Sequence, residues 1–147
     1  MYERSAPQQL RTPLGNVDFN PAAGGDGFYL TDETTGFDEP ELRVPVEDAA
    51  QTDGALLYDG KTGAWHPVVV AEYLIDTGDI ADRNAAIDDL RAKLRSILAA
   101  DGEWAITATG QPERTLTVRY EQKLVSSGGA QLKRVIFGLV SPDVDWS

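Results

Sequence analysis

Acid–base and nucleophilic chemistry start from a histidine, a cysteine or an activated hydroxyl, and this sequence offers little of each. Its one histidine, His66, stands in the triplet Trp65-His66-Pro67, and there is no cysteine. A serine nucleophile needs a base within hydrogen-bonding reach, and no Gly-x-Ser-x-Gly elbow accompanies His66. A turn residue before proline is the plainer reading. With one His and no Cys, a metal site would have to be built from carboxylates. The acidic stretch from Asp32 to Glu41 lacks the ligand order of a calcium-binding EF-hand loop. Gly24-Gly25-Asp26-Gly27 is too short for a phosphate loop, with neither a following helix nor a Lys-Ser/Thr pair. Among 24 acidic residues some pair will stand at a glycosidase separation by chance, and nothing selects one. The expectation is a protein that is not an enzyme and that uses no cofactor or metal. The three tryptophans raise another chemistry, a sugar-binding face of exposed aromatics. Trp104 alternates with Ile106 and reads as core, which leaves Trp65 and Trp146 flanking the sheet.

Charge narrows the partners. The chain carries −11 at neutral pH, from 24 acidic and 13 basic residues. Contacts to nucleic-acid phosphates need clustered Lys and Arg, so binding to the outside of nucleic acid is disfavoured. The balance serves solubility, or a surface that repels DNA. No apolar run of about 18 residues spans a membrane, and the start of the chain has no apolar signal-peptide core. The lack of cysteine fits assembly in a reducing cytoplasm.

The 147 residues suffice for one domain, which at that size buries roughly 70% of its unfolded surface. Residues 1–27, with Pro7, Pro13, Pro21 and a glycine cluster, read as an N-terminal arm or irregular lead-in. Residues 28–147 read as a single domain. Short strands are expected at Phe28–Leu30, Leu42–Val46 and Ala55–Tyr58, with a turn at Asp53-Gly54. Val68, Val69 and Val70 run without alternation, and Tyr73, Leu74 and Ile75 continue after Glu72, as a central strand covered on both faces would. Ile87, Leu90, Leu94, Ile97 and Leu98 then recur at the helical period and predict a helix over 82–100. Asp82 is its expected N-cap and Gly102 its C′ residue, with Asp89 and Lys93 paired on the outer face. An antiparallel meander follows. Trp104, Ile106 and Ala108 share one face, and Leu116, Val118, Tyr120 and Leu124 share another, with Gln122 out of pattern. Ser126 to Gly129 supplies a hairpin turn, and the return strand ends at Pro142, which cannot donate to a ladder. The expected fold is mostly β (α+β), a β-sandwich or rolled antiparallel sheet with one packed α-helix and a β-hairpin.

Taken in order, these elements resemble the ring-forming N-terminal domain of the distal tail proteins of long-tailed bacteriophages. The match runs over Asp53-Gly54, Val68 to Asp76, Asp82 to Ala100, Asp101-Gly102, Arg114 to Val125 and Leu132 to Trp146, about residues 28–147. The resemblance implies a structural virion protein at the tail tip, assembled in the host cytoplasm. It implies a ring, typically of six copies, between a tail tube protein and a tail-tip hub protein. DNA would pass through the ring without specific binding, and no membrane insertion is implied. A lumen bearing part of the −11 of each copy would repel that DNA. Many members carry a second, often carbohydrate-binding-like domain after this one, which residues 28–147 do not include, and the resemblance leaves any receptor-binding role open. Alternatives are another tail subunit (tail tube or tail terminator) or a non-catalytic β-sandwich carbohydrate-binding module. Trp65, His66, Asp143 and Trp146 are the candidate interface residues. The acidic-aromatic end, with Asp143, Asp145 and Trp146, either docks on a neighbouring copy or folds back over its own subunit.

Overall fold

The computed structural model describes residues 2–38, 42–43, 46–48, 55–57, 61–62, 64–129, 132–143 and 145–147. The first two strands arise inside the expected arm. Gln8–Thr12 (β1) and Gly15–Phe19 (β2) form a hairpin with register from Gln8↔Phe19 to Thr12↔Gly15. Leu10, Val17 and Phe19 turn inward, the period of two that a half-buried strand requires. Gly27–Leu30 (β3) follows, lying parallel to β2 at Phe19↔Phe28. Leu42–Arg43 (β4) pairs with Lys61–Thr62 (β7), and Val46–Asp48 (β5) with Ala55–Leu57 (β6). These two ladders are separate from the main sheet. The expected turn at Asp53-Gly54 lies outside the described residues.

Val68–Leu74 (β8) is central, as its apolar run predicts, with β3 on one side and Lys133–Val140 (β11) on the other. Gly102–Ile106 (β9) and Arg114–Gly128 (β10) complete the set. The sheet is a closed barrel in the order β1-β2-β3-β8-β11-β10-β9. This corrects the expected β-sandwich or rolled antiparallel sheet. Closure comes from β1, which pairs with β2 on one edge and with β9 on the other, from Gln8↔Ile106 to Arg11↔Glu103. A segment read as irregular is therefore the staple between two edges that would otherwise stay open. Closure also removes backbone groups that an open sheet would leave unpaired. The expected boundary at residues 27 and 28 falls inside β3 of this one barrel.

The helix, Ile80–Arg95 (α1), starts earlier and ends sooner than its apolar stripe predicts. Asp79, not Asp82, is the N-cap: its Oδ1 accepts from the Asp82 amide at 2.9 Å, while the Asp79 amide donates to Asp82 Oδ2 at 3.1 Å. Asp82 is thus the reciprocal partner in a capping box. Ile87, Leu90 and Leu94 face the barrel, and Ile97 is buried just past the helix end. Leu98 leaves the stripe and is 57% exposed, because the chain has stopped being helical. The expected outer pair stands, with Lys93 Nζ 2.7 Å from Asp89. Gly102 opens β9 and is no helix terminator.

Gln122, out of pattern in sequence, marks register shifts on both sides in the β10–β11 ladder. A bulge there lets Leu124 resume the buried face. Gly138 sits opposite; a Cβ on it would lie 2.7 Å from the Gln122 Cβ.

Candidate functional site

Of the four candidate interface residues, three meet at one corner of the barrel. Trp65 forms an antiparallel bridge with Ser141, just beyond the last strand. Its ring is buried at 2% exposure, and Nε1 donates to the Asp143 carbonyl at 2.9 Å. The Asp143 carboxylate in turn accepts from the Thr117 amide of β10 at 2.7 Å. Trp146 packs edge-on against Trp65 with centroids 6.3 Å apart, and its Nε1 donates to the Phe37 carbonyl at 3.2 Å. Arg114 holds its guanidinium over the Trp146 ring at 5.8 Å. Ser147 and Thr115 exchange both backbone hydrogen bonds. The chain end therefore folds back on its own subunit, one of the two arrangements its composition allows. Two of the aromatics that could have formed a sugar platform are turned into the protein's own packing.

His66 stands apart from this corner. It is exposed, with Nδ1 3.0 Å from Glu121 Oε2 on β10. Both side chains face solvent, where such a pair contributes little to stability. Among the described residues, no group of three or more His, Cys, Asp or Glu side chains is placed to hold a metal ion, and no helix is long and apolar enough to cross a membrane.

The corner continues into the N-terminal segment, whose role the sequence does not advertise. Tyr2 stacks on Phe37 at 5.1 Å and lies 6.5 Å from Trp146. Burial pushes its phenol well above the ordinary tyrosine value, and its hydroxyl donates to Gln8 Oε1 at 2.9 Å. The same oxygen accepts from Trp104 Nε1 at 2.8 Å. The Gln8 amide donates to the carbonyls of Arg4 at 3.0 Å and Ala6 at 3.3 Å. Gln8 is only 3% exposed, so its amide is a satisfied polar knot within the core. The one sequence signal was a tyrosine and a glutamine in a polar stretch, on a strand whose next inward residue is Leu10.

Two further surfaces stand out. At the N-terminal end of α1, Tyr73, Leu74, Ile75, Asp79, Ile80 and Leu132 line most of an apolar groove of about 710 Å³. Asp26 ties down the loop between β8 and α1 beside the groove, accepting from the amides of Thr77 at 2.7 Å and Gly78 at 2.6 Å, and from that of Asp76. Donation by Thr77, then by Asp76, lowers the Asp26 carboxyl below its ordinary value. The Tyr73 phenol is raised, first by burial and then by the negative field of Asp26 and Asp82. At the opposite end of α1, the β1–β2 turn exposes Leu14 beside the cationic end of the helix.

No protein-family profile matches the sequence, and no curated protein matches it. The fold, by contrast, is shared with a solved structure. It is similar to the Dit protein of phage SPP1, described as a paradigm of the hub adsorption apparatus in phages that infect Gram-positive bacteria. The TM-score is 0.61 at 18% identity, over 92% of this chain and 50% of that one. The chain spans about half the length of the structure it matches.

Proposed function

We propose that this chain is a structural, non-catalytic subunit of a phage tail tip, which assembles into a ring between a tail tube protein and a tail-tip hub protein. The observation that carries the reading is the barrel-plus-helix fold it shares with the Dit protein over 92% of its length. A helix-covered barrel at the end of a tail has no need of a cofactor, and its work is to hold position. In a ring, sticking points for DNA are removed by like charge. Copies at −11 each, with part of that charge on the channel wall, let DNA pass without binding it. The ring is taken to contain six copies, with its location at the virion tail tip after assembly in the host cytoplasm.

The test is the native mass of the purified full chain by light scattering over a wide concentration range, followed by negative-stain imaging of the same sample. A closed ring with a central hole is the expected result. A protein that stays monomeric at every concentration, with or without purified tube and hub proteins, would overturn the reading. A ring whose channel is lined by Lys and Arg would refute the charge argument alone.

A further inference from the structure

From the two ends of α1, we infer that neighbouring copies join head to tail: the β1–β2 turn of one copy, carrying Leu14, seats in the Leu74–Ile80–Leu132 groove of the next. The inference rests on the ring reading above and supplies the contact that reading leaves open. Among the described residues six large hydrophobic side chains are exposed, and four of them belong to these two places. Leu74 (46%), Ile80 (44%) and Leu132 (51%) open the groove, while Leu14 (64%) tips the turn that forms the knob. Apolar groups gathered in this way mark a contact surface, where scattered ones would need no explanation.

Charge selects a second copy as the occupant. The groove is rimmed by Asp79, with Asp76 and Asp82 beside it in the chain. The knob sits at the basic end of the helix: Lys93, ion-paired with Asp89, donates from Nζ to the Asn16 carbonyl at 3.1 Å, and exposed Arg95 lies in the last helical turn. An acidic apolar groove and an apolar turn at the Arg95 end of the helix are complementary to each other and not to themselves. Their separation fixes the geometry. A helix of 16 residues is about 24 Å long at ~1.5 Å per residue, so knob and groove lie at opposite ends of the subunit. A contact between two different patches is heterologous, and repeating it yields a ring when the rotation closes.

The absence of native cysteine makes the contact readable in the full chain. Leu14→Cys and Ile80→Cys proteins, mixed and oxidised, should form a disulfide-linked pair that neither forms alone. The double variant should give a ladder ending at the ring size. Leu14→Asp and Ile80→Asp should each raise the concentration for half-assembly by at least about tenfold, with the thermal melt of the subunit unchanged. Asp at the first helical position suits the helix dipole, so Ile80→Asp keeps the fold. If wild-type rings form but the mixed cross-link is absent and both Asp variants assemble normally, the knob-in-groove contact is overturned and the ring reading survives. A cross-link between two Ile80→Cys copies would overturn the head-to-tail arrangement. If wild type never assembles, the ring reading fails with it.

Discussion

Replacing Gln8 with leucine tests whether the N-terminal segment is part of the barrel's core. Leucine fills a similar volume, so the change removes hydrogen bonds without opening a large cavity. The Trp104 Nε1–H, in a side chain with no exposure, loses its acceptor, Gln8 Oε1 at 2.8 Å. Leaving a buried donor unsatisfied costs about 1–3 kcal/mol. The Tyr2 hydroxyl also loses its partner, but it is part-buried and costs less. The carbonyls of Arg4 and Ala6 keep a donor, because Asn20 Nδ2 reaches them at 2.6 and 3.0 Å. The sum is a loss of about 2–4 kcal/mol, against a total stability of roughly 5–15 kcal/mol for a domain. For a chain of this length that lowers the melting temperature by roughly 5–15 °C. The assay is urea unfolding followed by tryptophan fluorescence. Gln9→Leu is the control: its amide donates to the Asp18 carboxylate at the surface, so it should stay within about 0.5 kcal/mol of wild type. In a Trp104→Phe background, Gln8→Leu should cost less, since the orphaned donor is gone. A loss below about 0.5 kcal/mol for Gln8→Leu, equal to that of Gln9→Leu, would refute the reasoning.

Deleting residues 142–147 should lower subunit stability by about 2–4 kcal/mol, because Trp146 leaves its aromatic stack and Trp65 Nε1 loses the Asp143 carbonyl. Unfolding that is unchanged, with only assembly impaired, would contradict the fold-back seen here. Gly138→Ala should cost about 1–3 kcal/mol, since its Cβ would meet the Gln122 Cβ at 2.7 Å across the bulged ladder; a melt equal to wild type would show that the bulge yields freely. Asp26→Asn tests the loop between β8 and α1 through pH. A carboxyl lowered in the folded state adds stability above its unfolded value and loses it as pH falls through the folded value. Stability of the wild type should therefore decline more steeply than that of Asp26→Asn below about pH 4, read from melts between about pH 2 and pH 7.

The helix, the central strand and the last strand are legible in the sequence because each carries a strong local period. Ile87, Leu90 and Leu94 repeat at the helical spacing, Val68 to Val70 run without a polar break, and Val135 to Val140 stop short of Pro142. The helix start was displaced because Asp79 and Asp82 are both good caps, and only the reciprocal hydrogen bonds tell them apart. Absence of cysteine, a single histidine and a charge of −11 also belong to the sequence alone, and they limit the chemistry. Closure of the barrel does not. It depends on β1 finding β9, a pairing of residues nearly a hundred positions apart, such as Gln8 with Ile106. The alternation of Leu10, Val17 and Phe19 was present, but prolines and an inward-facing glutamine hid it, since a buried Gln8 makes sense only beside Trp104. Trp65 and Trp146 looked like surface residues for the same reason: what buries them is a chain terminus and Tyr2, brought together only in three dimensions. The groove and the knob are likewise tertiary. Nothing local in the sequence sets Leu14, Ile80 and Leu132 apart from other apolar residues, and only the folded chain shows them exposed.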